Sequence, residues 1–355
     1  MKRKVVAVLV NDIHLDKGNG ELIKDIFLNQ LINLCLSKKI DNIFIGGDVF
    51  TNRSGQPLTC LTVWKEILEG VKENGIKIHV IPGNHDKTDA DDERSYLDIY
   101  SGQFLYRNAV CRNFDGLDVI FIPYFKDEKW LEEFRSVDCE RDKDNPAVLI
   151  THMGFDGVRN NDGGLVQSSI KPSMFKDYAK VLIGHYHDAS KLSSNVFYTG
   201  SAYQNNYGEN VTDKGFTVIY NDGTTEFVPS HFPRYIKEII QADDKETLMN
   251  LLEKYNGETY DHIRFVFVGK KTDCQKINIA EIQEKYGIDC KFLTKECNEA
   301  IYLSENESVL EYDKKAIEKD FIKFCSENEI RGEKMKYGLN LIKSIDYVES
   351  CKNTF

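Results

Sequence analysis

The sequence predicts an α/β fold in which two sheets pack face to face and helices flank them. In the first 90 residues, short apolar runs alternate with amphipathic segments of helix length. After residue 105 the pattern changes to closely spaced short apolar runs. No apolar run approaches the ~18 residues that a membrane span needs. The 355-residue chain is 41% hydrophobic and 29% charged, an ordinary globular composition with room for two domains.

The first half of the chain is predicted to form strand–helix–strand units. Strands are expected at 5–10, 42–45 and 77–81, and helices at 21–39 and 57–73. The first helix is predicted from apolar residues at helical spacing, and the second from Pro57, which suits a first helical turn. Because short connections between such units produce right-handed crossovers, this segment predicts a parallel sheet core.

A second sheet and a smaller module are predicted to follow. The strands of the second half are expected at 117–122, 147–151, 180–184, 196–199 and 215–220. Pro229 and Pro233 then interrupt the pattern, and a strand–helix–strand–helix–strand module is predicted over 235–294. These features divide the chain into domains at 1–230 and 231–300 and a helical tail at 301–355.

Charge and cysteine content narrow the classes of function. The net charge of −11 lacks the basic footprint of an ordinary nucleic-acid binder, so a polyanion would be held by local groups or metal ions. The nine cysteines include no Cys-x-x-Cys pair, which argues against a zinc ribbon or a thioredoxin-like redox site. Their scatter favours a reducing, cytoplasmic location. The apolar run at 5–10 is too short for a signal peptide.

Polar residues cluster where the predicted strands end. The chain has eight histidines, and five of them fall in these clusters. The candidate residues are Asp12, His14, Asp48, Asn84, His85, Asp86, His152, His185 and His187. In open α/β sheets, ligands bind beyond the carboxyl ends of the strands. Carboxylate, amide and imidazole donors suit divalent manganese, magnesium, iron or zinc, and their number suits two ions sharing a bridging carboxylate.

His85 is predicted to act on the substrate and not on a metal ion. It stands between Asn84 and Asp86, and neighbouring side chains in an extended loop point in different directions. A free imidazole facing the site could protonate the departing oxygen or stabilise charge on the phosphorus. The alternative is a structural histidine hydrogen-bonded to Asp86.

These motifs resemble those of the calcineurin-type metallophosphoesterases. The family pattern is Asp-x-His, Gly-Asp, Gly-Asn-His-Asp/Glu, a single His and Gly-His-x-His, and all five blocks occur in order over 12–187. The resemblance implies a two-sheet metallophosphoesterase sandwich and two ions, with manganese expected and magnesium, iron or zinc as alternatives. It further implies two sets of ligands that share Asp48. The first set is Asp12, His14, Asp48 and His187, and the second is Asp48, Asn84, His152 and His185.

A narrower resemblance is to the SbcD-type nuclease subunits of bacterial and T-even phage double-strand-break repair complexes. It rests on Tyr198-Thr199-Gly200-Ser201, Tyr207-Gly208-Glu209 and Lys214-Gly215-Phe216. The resemblance implies a DNA exonuclease or endonuclease that forms a homodimer. It also implies that 231–300 is an α+β capping domain and that the tail docks on an SMC-like coiled-coil ATPase. Ile317, Phe321 and Phe324, spaced along one face of a predicted helix, are the candidate contacts.

One position departs from the wider family. Many members carry Asp or His three residues after the bridging aspartate, close to the catalytic histidine, and here that residue is Thr51. A hydroxyl cannot stabilise an imidazolium as a carboxylate does. We therefore expect Asp86 or Asp16 to take over that support, or the chemical step to be slower or differently tuned.

Two further sets of residues carry open interpretations. Arg53, Lys87 and Arg94 are candidate contacts to a nucleic-acid backbone or ordinary solvated charges. Apolar residues of the helices after the second and third motifs, among them Trp64 and Leu68, would form either a homodimer surface or core.

The function predicted from the sequence is that of a metal-dependent DNA nuclease. The rival functions are a stand-alone phosphatase or cyclic-nucleotide phosphodiesterase, and a catalytically silent scaffold for the ATPase.

Overall fold

A computed structural model describes most of the chain: residues 3–90, 92, 94–139, 141–159, 164–257, 261–294 and, in the tail, Phe321, Cys325 and Met335. Residues Met1–Asn306 form one compact unit. Of the described helices, none is long and apolar enough to cross a membrane.

Two six-stranded sheets form the centre of the fold, as predicted, and both are mixed. Their strands are β1 (Val5–Val10), β2 (Asn42–Ile45), β3 (Lys77–Val80), β4 (Gln103–Leu105), β5 (Val110–Phe114), β6 (Leu117–Ile122), β7 (Ala147–His152), β8 (Lys180–Gly184), β9 (Ser190–Lys191), β10 (Val196–Tyr198), β11 (Gly215–Tyr220) and β12 (Thr225–Pro229). The first sheet has the order β12-β11-β1-β2-β3-β4, and the second β5-β6-β7-β8-β10-β9. β1 to β4 are parallel, as are β6, β7, β8 and β10, whereas β5, β9, β11 and β12 pair antiparallel. The strand predicted at 215–220 as part of the second sheet instead joins the first, where it pairs antiparallel with the strand at 5–10.

Both faces of each central strand are buried, which explains the uninterrupted apolar runs. In β1, Ala7 and Leu9 pack into the core between the sheets, whereas Val8 and Val10 pack against the helices on the outer face. The period of two that any strand imposes on its side chains therefore divides one apolar run between two cores. A third core lies between the second sheet and its helix.

Helices cover the outer faces of the two sheets. They are α1 (Gly20–Lys24), a π-helical segment (Asp25–Leu31), α2 (Ile32–Lys38), α3 (Leu58–Glu73) and α4 (Asp127–Asp138), with 3-10 turns at Tyr96–Ile99 and Pro172–Phe175. The predicted helix at 21–39 is thus helical as far as Lys38 but contains a π segment, and Lys39 ends it in the left-handed conformation. Pro57 caps α3 from outside the helix and does not occupy its first turn. Trp64 and Leu68 are buried in the core of the first sheet, so their interpretation as a dimer surface is wrong.

The module predicted over 235–294 has the expected elements. They are β13 (Tyr235–Gln241), α5 (Lys245–Lys254), β14 (His262–Gly269), α6 (Lys271–Cys274), α7 (Ile279–Tyr286) and β15 (Asp289–Thr294). The strands form a parallel sheet of order β13-β14-β15 with its own apolar core. That residues 231–300 form a separate domain stays a prediction. Of the predicted docking residues in the tail, Ile317 and Phe324 lie outside the described residues, and Phe321 is helical and half-buried.

Candidate metal centre

The predicted ligands come together at one end of the sandwich. Asp12 and His14 follow β1, Asp48 follows β2, Asn84 follows β3, His152 ends β7, and His185 and His187 follow β8. The loops after β1 and β2 run side by side, because the N–H of Asp12 donates to the carbonyl of Gly47 and that of His14 to the carbonyl of Asp48 (3.2 and 3.0 Å). Parallel strands therefore deliver ligands from both sheets to a single edge.

The side chains form two groups with the spacing of metal ligands. Asp12, His14 and His187 make one group, and Asp48, His152 and His185 the other; within each group one ligand atom per residue lies within 4.8 Å of the others. Both groups lie on a cleft of about 450 Å³ whose lining includes His14, Asp48, Asn84, His185 and His187.

The candidate donor atoms lie within hydrogen-bond distance of one another. Nε2 of His14 lies 2.9 Å from Nε2 of His187, and Nε2 of His152 lies 3.2 Å from Oδ2 of Asp48. Oδ1 of Asn84 lies 2.9 Å from Nδ1 of His185 and 3.1 Å from Nε2 of His152. Two imidazole nitrogens can approach to 2.9 Å only when a proton or a cation lies between them. Convergent lone pairs on nitrogen and oxygen thus fit divalent cations.

Burial and neighbouring charges set the protonation of these ligands. Burial lowers the pKa of His14 and of His185 to about 3, which keeps both imidazoles neutral and able to bind a cation. Burial would also lower the pKa of His152, but the Asp48 carboxylate raises it to about 9. Burial would raise the pKa of Asp48, yet His152 and His14 hold it below its usual range. A cation would displace the proton that His152 holds in this pairing.

The backbone is strained where it presents the ligands. Asp12, His14, Asp48 and His185 have φ angles of 52°, 46°, 52° and 97°, in the left-handed region that side-chain-bearing residues rarely adopt. Such conformations cost about 1–3 kcal/mol each and persist only where the surrounding structure enforces them. These conformations are concentrated at the strand ends. The strain therefore lowers the stability of the fold but orients the candidate ligand side chains toward the cleft.

Glycines in the motifs provide the space that the ligands occupy. A Cβ at Gly47, whose φ is 102°, would collide with the imidazole of His152. A Cβ at Gly83 would collide with both the carboxylate and the backbone nitrogen of Asp48. The Gly-Asp and Gly-Asn-His motifs therefore require glycine for steric reasons.

His85 belongs to neither ligand group but lies beside the first. Its ring meets that of His14 edge to face, with centroids 5.0 Å apart. Its Nδ1 lies 2.5 Å from the carbonyl oxygen of Thr51, and its backbone N–H donates to Oδ1 of Asp48 at 2.8 Å. His85 and Arg53 both line the cleft, and Nε2 of His85 lies 3.4 Å from Nη2 of Arg53.

The expectation that Asp86 or Asp16 supports His85 needs correction. Buried Asp86 accepts hydrogen bonds from the backbone N–H groups of Phe50 and Gly83 (3.0 and 2.9 Å), and so joins the loops after β2 and β3. Oδ1 of Asp16 accepts from the backbone N–H groups of Gly18 and Asn19 within its own turn. The partner of His85 is instead the backbone carbonyl of Thr51. Because every residue has a backbone carbonyl, the sequence could not indicate this contact.

The three residues predicted as contacts to a nucleic-acid backbone differ in their exposure and in their partners. Lys87 is buried and donates to the carbonyl of Tyr124 at 2.9 Å, so it is not available to DNA. Arg94 is exposed and paired with Asp92 at 2.8 Å. Arg53 is the one Lys or Arg among the described residues that line the cleft.

Glu209 was not predicted to be a site residue, but the structure places it beside His187, one of the candidate ligands. Oε1 of Glu209 lies 2.8 Å from Nδ1 of His187. Burial would raise the pKa of Glu209, but His187 and Lys214 lower it to about 2. The only signal of this contact in the sequence was the resemblance of the segments around Glu209 and Lys214 to the repair nucleases.

A comparison with known protein families agrees with this fold. Residues 6–189 match the family described as calcineurin-like phosphoesterase. The match covers more than half of the chain and all seven predicted ligands, and the chain therefore belongs to that family.

Individual relatives are more distant. Putative phosphoesterase 244L of Invertebrate iridescent virus 6 is 22% identical over 247 residues, which are 68% of this chain and 84% of the relative. Exonuclease subunit 1 of Enterobacteria phage T4 is 24% identical over 232 residues, 62% of this chain and 67% of the relative. Among solved structures, the nuclease MPE of Pseudomonas putida aligns with 62% of this chain and 87% of its own, at 14% identity and a TM-score of 0.28.

Proposed function

We propose that this chain is a two-metal phosphodiester hydrolase that cuts DNA as the nuclease subunit of a recombination or repair complex. The observation that carries the proposal is the geometry of the cleft, in which two candidate ligand groups, the imidazole of His85 that belongs to neither, and an arginine converge. The 24% identity to an exonuclease subunit of a phage supports nuclease activity.

The ligand groups would each hold one divalent ion, with Asp48 between them. Oδ2 of Asp48 lies 3.2 Å from Nε2 of His152 in its own group and 3.6 Å from Nε2 of His14 in the other. When bound, two such ions would neutralise the phosphate and lower the pKa of a water molecule toward neutrality. This positive charge would let an acidic protein bind a polyanion. We propose manganese as the metal.

His85 would serve the reaction through Nε2. Because Nδ1 lies 2.5 Å from the carbonyl of Thr51, that nitrogen carries the hydrogen and donates it, which leaves Nε2 to face the cleft. Nε2 can accept a proton or, once protonated, donate one to the departing oxygen.

Arg53 would hold the scissile phosphate beside His85. Its side chain is exposed at the mouth of the cleft, and its Nη2 lies 3.4 Å from Nε2 of His85. A planar guanidinium binds two phosphate oxygens at once, which suits a phosphodiester in this position. We infer that Arg53 leaves the imidazole and pairs with the phosphate when DNA enters.

The partners proposed for this function are DNA, a second copy of the chain, and an SMC-like coiled-coil ATPase that binds the tail. The tail contacts would be Ile317, Phe321 and Phe324, and the supporting observation is their apolar character at helical spacing.

A comparison of substrates tests the proposed function. The purified chain with manganese would be given end-labelled linear DNA, closed circular single-stranded DNA, bis(p-nitrophenyl) phosphate, p-nitrophenyl phosphate and cyclic nucleotides. The Asp48→Ala variant, purified in the same way, reports contaminating nuclease. We expect metal-dependent cutting of DNA and of the diester, and the circular substrate separates endonuclease from exonuclease activity.

The rival functions predict other outcomes of the same assay. Hydrolysis of the monoester or of cyclic nucleotides with intact DNA would identify a phosphatase or a cyclic-nucleotide phosphodiesterase. A chain that binds two ions but hydrolyses none of these substrates, with or without the ATPase, would be a scaffold.

A further inference from the structure

A buried ion pair stands behind one of the ligand groups, in the segment 201–216 whose motifs the proposed mechanism does not use. The side chain of Lys214 is fully buried and that of Glu209 is 8% exposed. Nζ of Lys214 lies 2.9 Å from Oε2 of Glu209, and the other carboxylate oxygen, Oε1, lies 2.8 Å from Nδ1 of His187. The three residues form a chain from ammonium to carboxylate to imidazole.

The ammonium is satisfied by groups that surround the loop of His187. Nζ lies 2.7 Å from the carbonyl oxygen of His187, 3.0 Å from Oγ of Ser201 and 3.2 Å from Oδ1 of Asp188, besides Glu209, so its three hydrogens are shared among four acceptors. An unpaired buried ammonium would be strongly destabilising, so these contacts hold Lys214 in one place. Lys214 therefore binds both the backbone carbonyl of His187 and the carboxylate of Glu209, which fixes the position of one relative to the other.

The contact with Glu209 decides which nitrogen of His187 is free. A carboxylate accepts a hydrogen and cannot donate one, so Nδ1 of His187 carries the hydrogen. Nε2 then has its lone pair directed toward Nε2 of His14, 2.9 Å away, in the group that contains Asp12. A carboxylate behind a ligating imidazole also raises the basicity of that imidazole.

In the second ligand group, among the residues that the structure describes, no carboxylate lies within hydrogen-bond distance of Nδ1 of His152; Oδ1 of Asp12 is 3.9 Å away. Nδ1 of His152 lies 2.9 Å from the carbonyl oxygen of Gly46, so the backbone fixes that imidazole. The two groups thus differ in what orients them: a side-chain ion pair for His187 and a main-chain carbonyl for His152. A change at Glu209 should therefore act on one ion and spare the other.

We propose that Glu209 and Lys214 are positioning residues, which fix the tautomer and ring orientation of His187 and thereby retain the ion of the Asp12–His14–His187 group. The inference rests on the proposed two-metal centre and assigns a role to two residues that do not themselves bind the metal. It predicts a selective loss of one ion, which a general loss of stability would not produce.

Metal binding, measured by calorimetric titration with manganese and by metal content after dialysis, tests the proposal. Glu209→Ala should keep one ion per chain and bind the other about 10–100-fold more weakly. Glu209→Gln should remain within a few-fold of the wild type, because the amide oxygen accepts the same hydrogen bond. Lys214→Met should weaken the same ion, since Glu209 then loses its anchor.

Asp138 provides a matched control. Its carboxylate accepts from Arg141, whose side chain is 3% exposed, and from the hydroxyl of Tyr178, in the helix layer of the second sheet. Asp138→Ala should lower the melting temperature yet keep both ions at wild-type affinity. Loss of an ion in this variant would show that destabilisation alone empties the site, and would overturn the proposal.

Other outcomes separate this inference from the proposed function. Two ions at wild-type affinity in Glu209→Ala, or equal weakening of both ions, would overturn the positioning role. If Glu209→Ala does not fold, Glu209→Asp decides, because it keeps the charge but shortens the reach to His187; wild-type affinity in that variant would also overturn the role. A wild-type chain that fails to bind two ions would instead defeat the proposed two-metal function.

Discussion

The carbonyl oxygen of Thr51 lies 2.5 Å from Nδ1 of His85. The hydroxyl of Thr51 points elsewhere and donates to the carbonyl of His14 at 2.8 Å. Thr51 thus supports the catalytic candidate through its backbone. The side chain of Thr51 instead braces the loop that carries a predicted metal ligand.

Two variants test whether Thr51 supports His85 through its backbone carbonyl and not through its hydroxyl. Thr51→Ala keeps the carbonyl and loses one hydrogen bond of about 1 kcal/mol, so we expect less than about a tenfold fall in kcat. His85→Ala should keep both ions and the fold but lose ~10²–10⁴-fold in rate. Hydrolysis of bis(p-nitrophenyl) phosphate and metal content are measured together. Metal loss in His85→Ala equal to that in His152→Ala would make His85 a ligand.

Asp48 should be the most sensitive of the ligands. It faces both groups, so Asp48→Ala removes an anion from between two cations and increases their repulsion. We expect this variant to hold less metal than Asp12→Ala or His152→Ala, as measured by elemental analysis of purified protein. Retention of two ions per chain would exclude the bridging role.

A histidine far from the proposed chemistry should make folding sensitive to acid. His79 is buried among aromatic rings, stacked on Phe104 with centroids 4.8 Å apart, and its nitrogens contact the hydroxyl of Tyr106 and Oδ1 of Asn42. Burial lowers the pKa of His79 from 6.5 to about 4. The unfolded chain therefore binds a proton below pH 6.5 that the folded chain accepts only near pH 4, and stability falls as the pH drops through this window.

The size of this effect follows from the shift in pKa. Between pH 7 and pH 5, His79 should account for a loss of at most about 2 kcal/mol in the free energy of unfolding. His79→Gln can keep hydrogen bonds but does not titrate, so its urea denaturation should depend less on pH by that amount. The same dependence on pH in the variant and the wild type would show that His79 titrates normally in the folded chain.

The tail should be required for partner binding but not for hydrolysis. Replacing Ile317, Phe321 and Phe324 together by alanine removes three large apolar side chains, each worth ~1.5–3 kcal/mol when buried. We expect the variant to keep both ions and diester hydrolysis but to lose co-purification with an SMC-like ATPase of the same genome. Leu58→Ala is the control, since Leu58 is 78% exposed on α3. Undiminished co-purification of the triple variant would refute docking through these residues.

The sequence by itself located eight of the twelve strands described in the two large sheets, and the residue types that cluster at their ends. It did not predict β4, β5, β9 and β12, nor that β11 pairs with β1. The apolar run of β1 and the ligands just beyond it could be located because period and residue type are local properties. The candidate residues could be listed because each motif lies where a predicted strand ends, and parallel strands end at one edge. Their division into two ligand sets came from the family resemblance and stays a prediction. These features depend on neighbours within a few residues of the chain.

Only the tertiary structure decided which atoms support the predicted residues. The bond from His85 to the carbonyl of Thr51 spans 34 residues and uses a backbone group that every residue type possesses. The contact of Glu209 with His187, and the burial of Lys87, depend on where loops cross after the two sheets pack. The type of a residue limits the contacts that its side chain can make. Which contact it does make depends on chain segments that are distant in sequence. The positions of those segments are fixed only when the sheets and loops pack together.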